Sequence, residues 1–304
     1  MQSATIQPPY HQWMLNAYLA CPEALRLTLL ARVKPAFRHY ARVRGTVAHA
    51  TVFRLHVEKA WDRVDEVFEE EWGQQLALPG PPINANAKKL AKEFEDWRDA
   101  LRQYVLRERE ARVVFCELPV RGTVRSRGGR PYAVEGVVDQ VRPCADGGFD
   151  VYEIKTSAAN PSLATFERNI QLSLYAWCLH AGEVFVENEW QAVSKVLGEN
   201  LHGIVCYQLA QLIPYRRAGR RPDGSTYAAG ELRGDPCYRI TKTPEQLEQG
   251  ACAVARIIAA IRAGGFFWNP SAMYGGCDAC AVKHGCGKEL LSNSPLQPAH
   301  FEAA

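Results

Sequence analysis

The chain lacks the features that would place it in a membrane or make it a motor. No apolar run approaches the length needed to cross a bilayer, and MQSATIQPPY at the N-terminus has no basic region followed by an apolar one. No Gly-x-x-x-x-Gly-Lys-[Ser/Thr] motif occurs, which argues against a built-in P-loop helicase. The net charge is only +3, so binding of nucleic acid would depend on a local basic surface. We therefore expect a cytoplasmic protein without a membrane partner.

What the sequence does contain is typical of a globular protein. Its 304 residues are 47% hydrophobic and 23% charged, enough to bury a proper core. Periodicity and turn residues predict helices first, then antiparallel strands, then a helix, a strand and a final helix. The predicted helices are 11–31 (interrupted near Pro22), 46–72, 88–112, 162–180 and one that begins after Thr243; the predicted strands are 113–121, 132–142, 148–156 and 203–212. This order predicts an α/β or α+β layer fold with a central sheet.

The stretch FDVYEIKTS places two charges on one face of a predicted strand. Glu153 and Lys155 are two residues apart, so their side chains point the same way. If the hairpin turns around Asp146, Asp139 lies opposite Glu153, and the two carboxylates then need a shared cation. Oxygen ligands favour Mg²⁺ or Mn²⁺. The alternatives are a solvent-facing ion pair, or a register shifted by one residue that would send Asp139 to the other face.

These motifs resemble those of a known superfamily. The pair EGVVDQV and DVYEIKTS is similar to the core of the PD-(D/E)XK nucleases, in the branch of RecB-like exonucleases. Upstream, RGTVAH resembles the Gly-x-x-x-His segment of that branch, with Gly45 and His49 in the matching places. Downstream, QLSLYA resembles its Gln-x-x-x-Tyr motif, which here is Gln171 and Tyr175. The resemblance implies a restriction-endonuclease-like core with a mixed sheet flanked by helices.

The resemblance also implies a role for each matching residue. The metal ligands would be His49, Asp139, Glu153 and the carbonyl of Ile154, with Lys155 as the catalytic lysine. Glu117 would stand behind the ligands, and Gln171 and Tyr175 would reach the active site or the nucleic-acid backbone. Because a histidine softens an oxygen-rich site, we expect activity with Mn²⁺ at least equal to that with Mg²⁺.

The cysteines fall into two groups. Three near the C-terminus, Cys277, Cys280 and Cys286, form a C-x2-C-x5-C array that indicates a metal, and either His284 or the distant Cys21 is available as a fourth ligand. In AddB-type nucleases and the iron–sulfur nucleases of CRISPR adaptation, one cysteine precedes the core and three follow it. The resemblance therefore implies a [4Fe–4S] cluster on Cys21 and the three late cysteines, with Zn²⁺ as the alternative. The other six are expected to be small buried side chains: Cys116, Cys144, Cys178, Cys206, Cys237 and Cys252.

The combined hypothesis is a metal-dependent deoxyribonuclease. Residues 1–43 would carry the first cluster cysteine, 44–264 would form the nuclease core with a helical insertion at about 60–112, and 265–304 would hold the other cysteines. We expect an exonuclease on single-stranded DNA or DNA ends, acting in recombination, repair or spacer acquisition, alone or with a separate helicase, recombinase or CRISPR adaptation protein. A basic loop would contact phosphates through Arg216, Arg217, Arg220 and Arg221. The rival hypotheses are a non-catalytic nucleic-acid-binding module of the same fold and a zinc-stabilised interaction protein.

Overall fold

The fold is described from a computed structural model of the chain. It is built around one mixed sheet. The structure describes residues 8–145, 147–157, 163–198, 201–269, 277 and 280–286; the predicted turn at Asp146, the predicted helix start at 162 and the tail 287–304 lie outside the described residues. Its strands are β1 (Tyr10–His11), β2 (Phe115–Arg125), β3 (Pro131–Pro143), β4 (Phe149–Lys155), β5 (Glu183–Val186), β6 (Glu189–Ala192), β7 (Leu201–Gln208), β8 (Gly219–Arg220), β9 (Thr226–Tyr227) and β10 (Cys237–Ile240).

Helices precede, interrupt and follow these strands. They are α1 (Gln12–Ala20), α2 (Pro22–Leu29), α3 (Tyr40–Val57), α4 (Val64–Ala77), α5 (Ala87–Glu108), α6 (Leu163–Glu167), α7 (Ile170–Ala181), α8 (Val193–Val196) and α9 (Pro244–Arg262). The predicted break at Pro22 is confirmed, because Pro22 opens α2. At α9 the predicted capping box is present: Thr243 Oγ1 accepts a hydrogen bond from the Gln246 amide, and Gln246 Oε1 accepts one from Thr243 N.

The prediction of a single helix over 46–72 is wrong. Lys59 adopts a left-handed backbone conformation, with φ of 55°, between the end of α3 and the start of α4. A residue with positive φ cannot continue a right-handed helix, so the chain turns back and the two helices pack against each other. The helix predicted over 162–180 is likewise divided, and Asn169 caps the second part, α7, by accepting hydrogen bonds from the amides of Gln171 and Leu172.

The main sheet has the order β10-β7-β4-β3-β2-β5-β6, with β1 added in parallel beside β3. Strands β2, β3 and β4 form an antiparallel meander, whereas β4 and β7 run parallel. In the β3–β4 pair Gln140 lies opposite Tyr152 and Val141 opposite Val151. This is the register that the sequence predicted, and it brings Asp139 level with Glu153. The expected mixed α/β architecture with a central sheet flanked by helices is therefore present.

Two hydrophobic cores cover the two faces of the sheet. Helices α1, α7 and α9 supply one core, which contacts Val151 of β4 and Ile204 of β7. Helices α3, α4 and α5 supply the other core, which contacts Ile154 and Tyr207 of the same two strands. Burial on both faces explains why the central strands are almost continuously apolar. The charged residues of β4 are therefore exceptions that need a local explanation.

Some sequence expectations fail at the periphery. The short strands β5, β6 and β10 fell outside the predicted set, and β7 ends at Gln208, where a 3₁₀ turn at Leu209–Leu212 begins. Of the six cysteines expected to be buried, Cys178 and Cys206 are, whereas Cys237 on the edge strand β10 is exposed. Among the described residues no helix is both long and apolar enough to cross a membrane.

Candidate active site

The β3–β4 hairpin brings the first two acidic residues together. Asp139 lies just beyond the last recorded pair of the hairpin, and its Oδ2 accepts a 2.6 Å hydrogen bond from the backbone amide of Ile154. This bond ties the aspartate of one strand to the residue between Glu153 and Lys155 on the other. Both carboxylates are almost entirely removed from solvent, since Asp139 is 8% exposed and Glu153 is 2% exposed. Two neighbouring buried carboxylates repel each other unless protons or a cation compensate for their negative charge.

Glu153 and three other side chains form a hydrogen-bonded group that fixes the orientation of Glu153. Lys155 Nζ donates to Glu153 Oε1 at 2.6 Å and to Gln171 Oε1 at 2.7 Å. The Gln171 amide nitrogen donates to Glu153 Oε1 at 2.5 Å and to the Tyr175 hydroxyl at 3.1 Å. Gln171 and Tyr175 are one helical turn apart on α7, so both face the sheet. Glu153 Oε2 remains buried and has no hydrogen-bond partner among the described residues.

Gly136 makes this arrangement sterically possible. It lies on β3, three residues before Asp139, where the Tyr175 ring packs against the strand. A Cβ atom at Gly136 would lie 2.5 Å from Tyr175 Cε1, a distance that real contacts do not reach. The Gly-x-x-Asp spacing in EGVVDQV therefore has a packing reason: the glycine admits the aromatic ring, and the ring supports the glutamine.

Helix α3 contributes the histidine. His49 Nδ1 lies 3.2 Å from Asp139 Oδ1. Burial lowers the pKa of His49, but the charge and hydrogen bond of Asp139 outweigh it and raise the pKa to about 9. One turn earlier, a Cβ atom at Gly45 would lie 3.3 Å from Thr156 Oγ1, so the glycine lets α3 approach the end of β4. The predicted Gly-x-x-x-His segment thus delivers its histidine to the carboxylates.

The resemblance placed Glu117 behind the metal ligands, but Glu117 lies close enough to two of them to be a candidate ligand itself. Ligand atoms of His49, Glu117 and Asp139 all lie within 4.8 Å of one another, the spacing needed to hold one metal ion. Glu117 has a positive φ of 52° within β2, an uncommon conformation for a residue with a side chain. Burial and, next, the Asp139 charge raise the pKa of Glu117 to about 7. Strain in a strand beside clustered carboxylates is typical of a functional site.

Arg44 was not predicted from the sequence to be a site residue, yet it positions α3, the helix that carries His49. Its guanidinium donates to Glu93 of α5 at 3.0 Å and to the carbonyl of Thr156 at 2.9 Å. It is buried and lies 4.9 Å over the Trp97 ring. Because it directly precedes Gly45 in the RGTVAH segment, its contacts fix α3 against the end of β4. The available signal in the sequence was the position of this arginine inside the RGTVAH segment.

The four arginines of the predicted basic loop do not act as one surface. Arg216 donates to Asp96 at 3.2 Å and pairs with Asp99 at 2.7 Å. Arg221 pairs with Glu231 and lies over the rings of Tyr215 and Tyr227, which stack 3.7 Å apart. The two arginines that form no ion pair with a described residue are Arg217 and Arg220, and both are exposed. The candidate phosphate-binding set is thereby reduced to this pair.

The cysteine-bearing ends of the chain lie together. The amide of Glu23, two residues after Cys21, donates to the Phe267 carbonyl at 3.1 Å, and the Asn269 side chain donates to the Ala20 carbonyl at 3.0 Å. Further on, the amide of Ala36 donates to the Ala281 carbonyl at 2.7 Å.

Two further contacts involve the late cysteines themselves. The Trp268 indole donates to Cys277 Sγ at 2.9 Å. The pKa of Arg26 is raised chiefly by its hydrogen bond to Glu23 and, more weakly, by the charge of Cys286. The four cysteines predicted to bind one centre thus lie on two segments that contact each other.

Comparison with known proteins identifies the superfamily. A family model for the PD-(D/E)XK nuclease superfamily matches residues 13–287, nearly the whole chain. A solved structure described as "Crystal structure of SSO0001" is similar at 13% identity and a TM-score of 0.34, over 91% of this chain and 95% of that one, which is too distant to support an argument. No curated protein matches the chain significantly.

Proposed function

Because the chain belongs to the PD-(D/E)XK nuclease superfamily, whose enzymes are metal-dependent nucleases, we propose that it hydrolyses phosphodiester bonds in DNA. We assign it as an exonuclease acting on single strands or DNA ends. The observation that carries the proposal is that the buried Asp139 and Glu153 and the partly exposed Lys155 lie together beside His49, with Gln171 bonded to Glu153 and Lys155. A fold used only for binding has no need to bury two neighbouring carboxylates beside a lysine and a histidine.

The residues present fit a divalent cation. Three ligand atoms converge within 4.8 Å, and Glu153 has a buried oxygen without a hydrogen-bond partner among the described residues. We assign His49, Glu117, Asp139 and Glu153 as the residues that would hold Mg²⁺ or Mn²⁺, with the Ile154 carbonyl as a further donor. When bound, such an ion supplies Lewis-acid stabilisation of the phosphate and lowers the pKa of water.

The chain's own residues supply the rest of the chemistry. Burial lowers the pKa of Lys155, but Glu153 and the hydrogen bond to it outweigh burial, so the net shift is upward and the ammonium stays charged at neutral pH. It can therefore stabilise the negative charge that develops on the phosphate during attack. Gln171 positions that ammonium, and Tyr175 positions Gln171. The raised pKa of Glu117, about 7, means that a cation bound there would have to displace its proton.

The test is digestion of end-labelled DNA, both single- and double-stranded, with and without blocked ends, in Mn²⁺ or Mg²⁺. We expect Asp139→Asn and Lys155→Met to lower the rate by about a hundredfold or more. The matched control is Asp150→Asn, which removes a buried carboxylate from β4, the strand of Lys155, but one that pairs with Arg239 at 2.7 Å. Retained cleavage in Asp139→Asn or in a chelator would refute the proposal, and DNA binding without any cleavage would favour the non-catalytic module.

We further propose that the terminal segments are joined by a [4Fe–4S] cluster on Cys21, Cys277, Cys280 and Cys286. Contact between the two cysteine-bearing segments and the hydrogen bond from Trp268 to Cys277 support this assignment, since such bonds stabilise a ligating thiolate. The cluster would join segments 1–43 and 265–304 across the nuclease core 44–264, in which 60–112 is an insertion. Recombination, repair or spacer acquisition, with a separate motor or recombination protein, is the proposed setting.

A further inference from the structure

A groove of about 740 Å³ opens directly beside the candidate metal ligands. Most of its lining residues belong to α3, and Glu117 of β2 and Thr156 supply the rest. His49 lies within this lining, so any molecule that occupies the groove reaches the site of chemistry. The α3 wall is formed largely of small residues, which leaves room for a bulky ligand.

Apart from the His49 imidazole, Phe53 is the one aromatic side chain in the groove lining among the residues that the structure describes. It lies one helical turn after His49, on the same side of α3. The ring is half-buried, but it packs against neither of the two hydrophobic cores of the described residues. Phe94 and Phe115 are also half-buried, and both do pack against a core. Phe53 therefore presents its ring to the groove without an evident part in holding the fold together.

Arg42 lies at the other end of the same wall. It precedes His49 by seven residues, or two helical turns, which corresponds to about 10 Å along the axis. Its side chain is exposed and forms no ion pair with any described residue. Nearby Arg44, by contrast, is buried and fully engaged with Glu93 and Thr156. The groove thus has an aromatic face on one side of the ligands and an available cation on the other.

We propose that this groove is the track for an unpaired DNA strand, with Phe53 stacking on a base beside the scissile phosphate and Arg42 binding a phosphate on the other side. The inference rests on the proposed nuclease function. Aromatic rings bind bases through their flat faces whatever the sequence, whereas a duplex keeps those faces stacked on each other. Phe53 is therefore a specificity residue that favours single strands and frayed ends over intact duplex.

The test measures binding without cleavage, using short single-stranded oligonucleotides with phosphorothioate linkages and one abasic position moved along the strand. We expect one position at which the abasic change weakens binding to the wild-type protein about tenfold. Phe53→Leu should bind the intact strand about as weakly as the wild type binds the abasic strand. It should bind the abasic strand no more weakly than the intact one. Phe53→Trp, which retains a stacking face, should bind as the wild type does. Unchanged affinity in Phe53→Leu, or an undiminished abasic effect, would overturn the stacking role.

Arg42 is tested by the salt dependence of the same binding. Arg42→Gln should reduce the slope of log affinity against log salt by about one phosphate contact, and Arg42→Lys should restore it. Arg54→Gln is the control on the same helix, because Arg54 pairs with Glu70 at 2.8 Å and Glu71 at 3.1 Å instead of facing the groove. Thermal unfolding of each variant checks that it folds.

The outcomes separate this inference from the proposed function. If the protein cleaves DNA but substitutions at Phe53 and Arg42 leave DNA binding unchanged, the nuclease assignment is supported and the proposed role of the groove is wrong. A protein that binds as expected but cleaves nothing would retain the track and refute the catalytic assignment.

Discussion

Replacement of Gly136 by alanine tests whether packing at β3 controls the catalytic group. The added Cβ atom would lie 2.5 Å from Tyr175 Cε1 and 3.2 Å from Cδ1. Ordinary contact begins near 3.4 Å, so the ring must retreat by roughly 1 Å in a close-packed interior. Tyr175 is only 3% exposed and has little free space. We expect the free energy of unfolding to fall by about 1–3 kcal/mol, the usual cost of overpacking.

The same displacement should reduce activity. The Tyr175 hydroxyl lies 3.1 Å from the Gln171 amide nitrogen, and retreat of the ring lengthens this bond beyond a useful distance. Gln171 then loses one of the contacts that orient it between Lys155 and Glu153. Loss of about 1.4 kcal/mol of transition-state stabilisation corresponds to a rate about tenfold lower. Denaturant unfolding and the cleavage rate measure the two effects in the same preparation.

The double variant Gly136→Ala/Tyr175→Leu separates steric clash from other causes. Leucine lacks the ring atoms that the new methyl group contacts, so stability should partly recover and the two substitutions should be non-additive by about 1 kcal/mol or more. The control is Gly73→Ala in α4, where an added Cβ meets nothing within 4 Å and alanine favours the helix. If Gly136→Ala behaves like Gly73→Ala in both stability and rate, the packing argument is wrong.

Three further predictions concern stability, binding and the cluster. Burial, and next the Arg142 charge, lower the pKa of His56 to about 3. Below pH about 6.5, His56 is therefore protonated in the unfolded chain but stays neutral in the folded one. The free energy of unfolding should therefore fall as the pH falls from 6.5 toward 3, and it should fall by up to about 1.4 kcal/mol per pH unit more in the wild type than in His56→Gln. If urea unfolding gives the same pH dependence for both proteins, the prediction is wrong. Arg217→Gln should lower the salt slope of DNA binding whereas Arg216→Gln should not, because Arg216 is held by Asp96 and Asp99; equal slopes for both variants would argue against a phosphate role for Arg217. Cys21→Ser should abolish iron incorporation and visible absorbance and lower the melting temperature; stoichiometric zinc in a colourless wild-type protein would replace the cluster with the zinc alternative.

The sequence carried the information for those parts of the site that depend on local geometry. Alternation along β4 is enough to place Glu153 and Lys155 on one face, and the short β3–β4 connection restricts the register that sets Asp139 opposite them. A capping box and a proline likewise define helix starts with only a few neighbouring residues. Each of these features depends on residues close together in the chain, and so could be predicted.

Features that depend on distant packing could not be predicted in this way. The residue with left-handed backbone conformation between α3 and α4 is Lys59. Glycine or asparagine would have indicated such a conformation in the sequence, whereas lysine does not. The short strands β5, β6 and β10 are defined by the strands beside them rather than by their own composition. The ion pairs that occupy Arg216 and Arg221 were equally invisible, because their acidic partners belong to α5 and to the far side of the loop.

By itself, the sequence determined which chemical groups are available and which of them share a strand face or a helical turn. Only the tertiary structure decided that Glu117 joins His49 and Asp139, that Gln171 bridges Lys155 and Glu153, and that Phe53 faces an open groove. The physical reason is that strand and helix periodicity extend over a few residues. The distance between α3, β2 and α7, by contrast, is set by two hydrophobic cores that residues from the whole chain build together.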